Sequence, residues 1–397
     1  MEWLRQSLTT LVASAAIAGF WPAKSFWWVR WSILPLVAVV LLFSAASRGL
    51  WPLDRRDYLI IAFCAWAALS GLWAADGYTY ILALERLFIF TAIWLAGRRA
   101  SRSWIAYTAL LVAVCVLSID LYARFAISYP SVVKLYSDIL HPMLIEQPML
   151  LFGGQGNVND QAQVLLMAIP LMYFLPVRQV WVRAVIQGVT LWALVILFFF
   201  STSNMPKWVL LICVTSFTIW WVWRERLVQS ALLAIGVVVL LGFSFDALDP
   251  FSLYDQFVAS HLNPRLQLWA ASVHMGITYP SGVGFGMFDI WWSEFNRSYE
   301  LIVPWATSDA FEDLVRPGAA HGDFFQIFAE LGIVGFALAA WFVISCWRKD
   351  AAWSEIIPAV VAISLALIDF PLQKPATALL ATMALVLLAG SPRRALR

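Results

Sequence analysis

The sequence predicts an all-α polytopic membrane protein with about 12 transmembrane helices and one long outer loop bearing amphipathic helices. Three observations carry this. Of 397 residues, 62% are hydrophobic and only 13% charged, where a soluble domain carries about 25% charged residues. The apolar residues fall in runs of about 18 to 24, long enough to cross a hydrocarbon core as helices. Lipid offers the backbone no hydrogen bonds, so each run must satisfy its own amides as a helix, and the alternation of a membrane barrel is absent.

The predicted spans are 7–21, 26–46, 58–74, 79–97, 104–126, 159–175, 180–200, 206–223, 228–247, 324–347, 354–370 and 374–391. Met1 to Phe20 has the outline of a signal peptide, but the many spans that follow favour an uncleaved first helix. Lys and Arg set the orientation. With both termini in the cytoplasm, the inner segments hold sixteen of them, among them Arg55, Arg56, Arg98, Arg99, Arg102, Arg348 and Lys349. The outer segments hold nine, and Arg86 lies within a span.

Two outer loops are long, at 127–158 and 247–323, and long loops in compact proteins tend to carry function. The second contains Trp269, Trp291, Trp292 and Trp305, enough apolar area to fold. Its stretch Leu266 to Ile277 reads as an amphipathic helix lying on the membrane surface. The predicted organisation is therefore residues 1–246 with nine helices, 247–323 as the outer loop, and 324–397 with three more.

Net charge is +2, so bulk electrostatics gives no reason to expect nucleic acid. Cys64, Cys115, Cys213 and Cys346 all sit in apolar runs without CxxC spacing, as small buried residues rather than metal ligands or disulfides. No metal site and no cofactor is expected.

Basic residues on the outer face run against the inside rule and need a reason. Arg265, Arg297, Arg316 and Lys207 lie there, and Arg86 follows Glu85 just inside its span. Glu85–Arg86 fits interfacial snorkelling as well as a functional charge at membrane depth. Asp120 and Arg124 have the spacing of an i,i+4 ion pair.

His321 stands where the long loop enters the next span, and Asp323, Gln326 and Glu330 follow on one helical face. Imidazole exchanges protons near neutral pH and suits general-base work on a sugar hydroxyl. The same residues also fit an interfacial histidine beside an N-cap, with Asp323 as the cap. Upstream, Asn263-Pro264-Arg265 opens a helix, and an arginine there can hold a phosphate in a fork of donors. The run Gly282-Val283-Gly284-Phe285-Gly286 permits close approach of backbone. It lacks the Lys-Ser/Thr of a nucleotide loop. A third element, Gly153-Gly154-Gln155-Gly156-Asn157-Val158-Asn159-Asp160-Gln161, precedes a middle span.

Together these pieces resemble the O-antigen ligase and polymerase superfamily of polytopic glycosyltransferases. The likeness rests on Asn157 to Gln161, Arg265 to Trp269, Gly282 to Phe288 and His321 to Gly332, in that order, with Asp369-Phe370-Pro371-Leu372 as a late outer turn. The His321 to Gly332 stretch is the most specific of them. One departure is Ser201 to Lys207, where many members carry Ser-Arg-Gly; Lys207 supplies charge there but no planar fork.

The resemblance implies a multi-pass protein of the bacterial inner (cytoplasmic) membrane with a periplasmic active site. It implies an undecaprenyl-pyrophosphate-linked glycan as donor, lipid A–core or another glycan as acceptor, and metal-independent inverting transfer. His321 and Arg265 become the expected catalytic residues, and Lys207, Arg86, Arg316, Asp323 and Gly284 the expected substrate-binding residues. A polymerase that extends the glycan is the alternative of the same class. A polysaccharide or lipid transporter or flippase is the alternative of another, disfavoured because mid-span charges are few and no repeat is evident.

Overall fold

The computed structural model describes residues 53–98, 102–128, 158–172, 174–175, 184, 186–188, 263–296, 298, 320–369, 372 and 375–390. The helices there are α1 (Arg55–Leu69), α2 (Gly77–Gly97), α3 (Arg102–Ser128), α4 (Val158–Met172), α5 (Asn263–Thr278), α6 (Phe288–Phe295), α7 (Asp323–Cys346), α8 (Trp353–Ile368) and α9 (Pro375–Ala389). A 3₁₀ turn, Ser70–Leu72, joins α1 towards α2. Among the described residues there is no strand.

Helices α1, α2, α3, α4, α7, α8 and α9 stand where seven of the spans were predicted. The spans at 7–21, 26–46, 206–223 and 228–247 lie outside the described residues, as do most of the span at 180–200 and most of the loop at 127–158. Among the described residues, two helices are long and apolar enough to cross a membrane, Gly77–Leu95 within α2 and Asp323–Cys346. Shorter apolar helices cover 102–114, 163–172, 353–368 and 377–389.

The main core is built from α1, α2, α3, α4, α7, α8 and α9, with Trp94, Leu165, Met167, Leu171 and Leu365 wholly enclosed. Trp94 meets Phe342 edge to face at 4.7 Å. At one end of this bundle the predicted cytoplasmic arginines gather on helix termini. Asp54 caps α1 by accepting from the amides of Arg56 and Asp57, while Asp57 returns the bond to the Asp54 amide. Arg98, buried at the end of α2, bonds to Asp57 at 2.6 Å and Asp54 at 2.5 Å. Arg56 donates to the carbonyls of Ser345 and Ala389, and Arg348 to that of Leu388. Each cation thus meets the negative end of a helix whose last carbonyls lack partners. Arg102 and Arg348 both grip Glu355 in the first turn of α8.

A second, smaller core lies at the other end, where Leu268, Ala271 and Met275 of α5 pack with Val283, Met287, Phe288 and Trp292. Helix α5 runs over Asn263–Thr278, longer at each end than the predicted Leu266 to Ile277, and packs against α6 and α7. The span predicted at 324–347 coincides with the helix Asp323–Cys346, which is not straight. Helix α7 breaks at Gly332, with φ +63° and ψ −161°. The break needs glycine twice over, since positive φ penalises a side chain and a Cβ there would sit 2.0 Å from the Pro280 carbonyl oxygen.

Candidate active site

The broken helix explains the glycine run. At a helical break the carbonyls ahead of it lose their i+4 amides, and buried carbonyls need other donors. Here the turn supplies them. The Val283 amide donates to Ala329 O and the Gly284 amide to Glu330 O, both at 3.0 Å, while the Ile333 amide donates to Pro280 O. Trp66 of α1 donates its indole N–H to Leu331 O. Gly282, at φ +83°, lies so close that a Cβ would stand 2.2 Å from Glu330 O.

The remaining amides of the turn are also engaged. Phe285 N–H goes to Ser70 Oγ, Gly286 N–H to Glu330 Oε2 at 2.8 Å, and Phe288 N–H to Glu330 Oε1 at 3.3 Å. Gly284 is buried and gives its amide to α7. The run is thus a backbone splice rather than an open cradle of donors.

The start of α7 makes the second half of the site. His321 has φ +48°, a left-handed conformation that costs a non-glycine residue about 1 to 2 kcal/mol. Its carbonyl accepts from the Trp269 indole at 2.8 Å, and Trp269 stacks on Phe325 with ring centroids 5.0 Å apart. The His321 side chain is partly exposed, and its Nδ1 stands 3.3 Å from Oδ1 of Asp369, a carboxylate buried at the end of α8.

Asp369 is the hub. Gln163 of α4 donates to its Oδ2 at 2.6 Å, and its backbone oxygen accepts from the Asp323 amide at 3.3 Å. Arg265 of α5 donates Nε–H to the neighbouring Ile368 carbonyl at 3.2 Å. Arg265 is buried, and desolvation pulls its pKa below the usual arginine value while the charge of Asp369 opposes that pull. Asp323 does not cap its own helix, as the N-cap reading expected. Its Oδ2 accepts instead from the Leu372 amide at 2.9 Å, closing the turn that carries Asp369.

His321, Arg265 and Asp323 thus converge on Ile368, Asp369 and Leu372. Arg86 goes elsewhere: it is exposed on α2, and its charge acts on Glu330. Lys207 and Arg316 lie outside the described residues. Sequence reasoning passed over Asp369 as a working residue and left out Gln163 altogether. The available signal was a lone carboxylate ending an apolar run, a costly place for a charge without a role.

A family model described as O-Antigen ligase matches residues 189–340. The match supports membership of the O-antigen ligase superfamily. The matched segment takes in Arg265, the glycine splice, His321 and the break at Gly332, and stops before Asp369. No curated protein matches the chain. The O-antigen ligase family implies a glycosyltransferase-type enzyme with glycan and lipid substrates. The chain builds its candidate site from α4, α5, α7 and the end of α8.

Proposed function

We propose that this protein transfers a glycan from an undecaprenyl-pyrophosphate-linked donor to a hydroxyl of lipid A–core or a similar acceptor, at the periplasmic face of the inner membrane. The observation that carries the reading is that one buried carboxylate, Asp369, faces both His321 and Arg265. Asp369 at 3.3 Å favours the histidine tautomer with its proton on Nδ1, which leaves Nε2 able to take a proton.

In the transfer step, Nε2 of His321 removes the acceptor hydroxyl proton as the oxygen attacks the anomeric carbon. The new glycosidic bond forms while the bond to the diphosphate oxygen breaks, and undecaprenyl diphosphate leaves. A single displacement inverts the anomeric centre. The leaving group gathers negative charge, and fixed cations stabilise such charge without reorganising. Arg265 supplies one, with Lys207 and Arg316 as further contributors from the outer face. This assignment needs no metal ion, in keeping with the lack of an Asp-x-Asp motif in the outer loops. Gly284 shapes the loop beside the donor, and residues 247–323 form the catalytic stretch between the flanking helices 1–246 and 324–397.

Lipopolysaccharide from a deletion strain tests the reading on gels. A ligase leaves long polymer made but absent from lipid A–core, restored by the wild-type gene and not by His321→Ala. Single repeat units in place of polymer indicate a polymerase instead. Normal lipopolysaccharide, or full restoration by His321→Ala, defeats the proposal.

A further inference from the structure

The glycosyl-transfer reading gives no work to the buried carboxylate of Glu330. Glu330 is 2% exposed, two turns into α7. Its carboxylate accepts three bonds: from the Gly286 amide, the Phe288 amide and Gln326 Nε2. The Phe288 bond places negative charge at the first turn of α6, where helix amides lack partners. Gln326 in turn accepts from the Ala320 amide, next to His321. One carboxylate therefore links the glycine splice, the start of α6 and the approach to the histidine.

The packing of α5 shows what this link governs. Helices α5 and the outer arm of α7 run side by side in the same direction. Near their starts, Trp269 bonds to His321 O. Further on, Gly276 lies so close to Phe328 that a Cβ would fall 2.4 Å from its ring. At their far ends, Pro280 meets Ile333 and Val283 meets Ala329. Arg265 rides on one strut and His321 on the other. Trp269 ties the near end, and the splice held by Glu330 ties the far end.

We infer that Glu330 is a positioning residue: its carboxylate locks the glycine splice to the outer arm of α7 and thereby holds Arg265 in register with His321. This inference rests on the transfer reading for its catalytic consequence, though not for the lock itself. A carboxylate suits the task because it offers acceptors on both oxygens, where the amide of glutamine presents an N–H₂ group to one of the donors. Misplacement of a reacting group by about 1 Å costs about 100-fold in rate.

The test uses the full-length protein in detergent. Amide exchange of peptides covering 282–288 is measured alongside transfer kinetics for Glu330→Gln and for Glu330→Asp, which keeps the carboxylate but shortens its reach to the Gly286 and Phe288 amides. The expected result for Glu330→Gln is faster exchange in 282–288 and a fall of about 100-fold in kcat with KM for the lipid donor changed less than about threefold. Glu330→Asp should show the same pattern, more weakly, and decides the matter if Glu330→Gln does not fold. Unchanged exchange in either folded variant overturns the lock. Faster exchange with wild-type kcat overturns the positioning role. A wild-type protein without transfer activity removes the reading of the site, while the exchange data still decide the lock.

Discussion

Nδ1 of His321, two residues ahead of α7, faces Oδ1 of Asp369, the C-cap of α8, across 3.3 Å. The histidine adopts a left-handed backbone to do so. Asp369 is also held by Gln163 from α4. The imidazole thus stands beside a carboxylate that is itself held in place, a setting that favours a proton on Nδ1.

His321→Asn should abolish transfer, by about 1,000-fold or more, while membrane insertion and thermal stability stay near wild type. Asparagine tolerates the left-handed region better than most residues, so this variant separates chemistry from strain more cleanly than alanine. Glycan transfer to purified acceptor, read beside a melting curve in detergent, checks it.

Asp369→Asn keeps the shape but withdraws the charge that faces His321 and Arg265. A loss of about 100-fold or more in kcat is expected, with smaller change in KM. Wild-type turnover in a steady-state assay would rule out the hub role of this carboxylate.

Arg265→Lys retains a cation but not the planar fork. The bond to Ile368 O is lost with it. Loss of one charge-assisted hydrogen bond is worth about 1.5 to 3 kcal/mol, so kcat/KM for the lipid donor should fall about 10- to 100-fold. Competition by undecaprenyl diphosphate gives the binding share of that loss.

Gly332→Ala should destabilise the fold by about 2 to 4 kcal/mol, since it adds left-handed strain to a clash with the Pro280 carbonyl. Gly77→Ala, at the start of α2 with open space around it and no positive φ, should cost less. Melting temperatures of the two variants make the comparison.

At the opposite end, burial raises the pKa of Asp54, but Arg98 and the amides of Asp57 and Arg56 outweigh it and hold the carboxyl below its ordinary value. A depressed folded pKa means the stabilisation is present above about 4 and fades as pH falls through the folded value. Asp54→Asn should therefore lower the melting temperature at pH 7 and leave a smaller difference from wild type at pH 3.

The hydrophobic runs and the placement of Lys and Arg determined a helical membrane protein, because long apolar runs have no other way to satisfy their amides in lipid. Local spacing also marked His321, Arg265, Asp323 and the glycine run as places of chemistry or close approach. It could not tell a phosphate cradle from a splice, since that depends on which carbonyls a distant helix leaves open. Only the tertiary structure decided that Gly332 breaks α7, that the turn at 282–288 spends its amides on that break, and that Asp369 and Gln163 stand behind His321. Periodicity along one segment reports which face is apolar. The partner of a buried polar group is chosen by packing between segments far apart in the chain, and no local pattern encodes it.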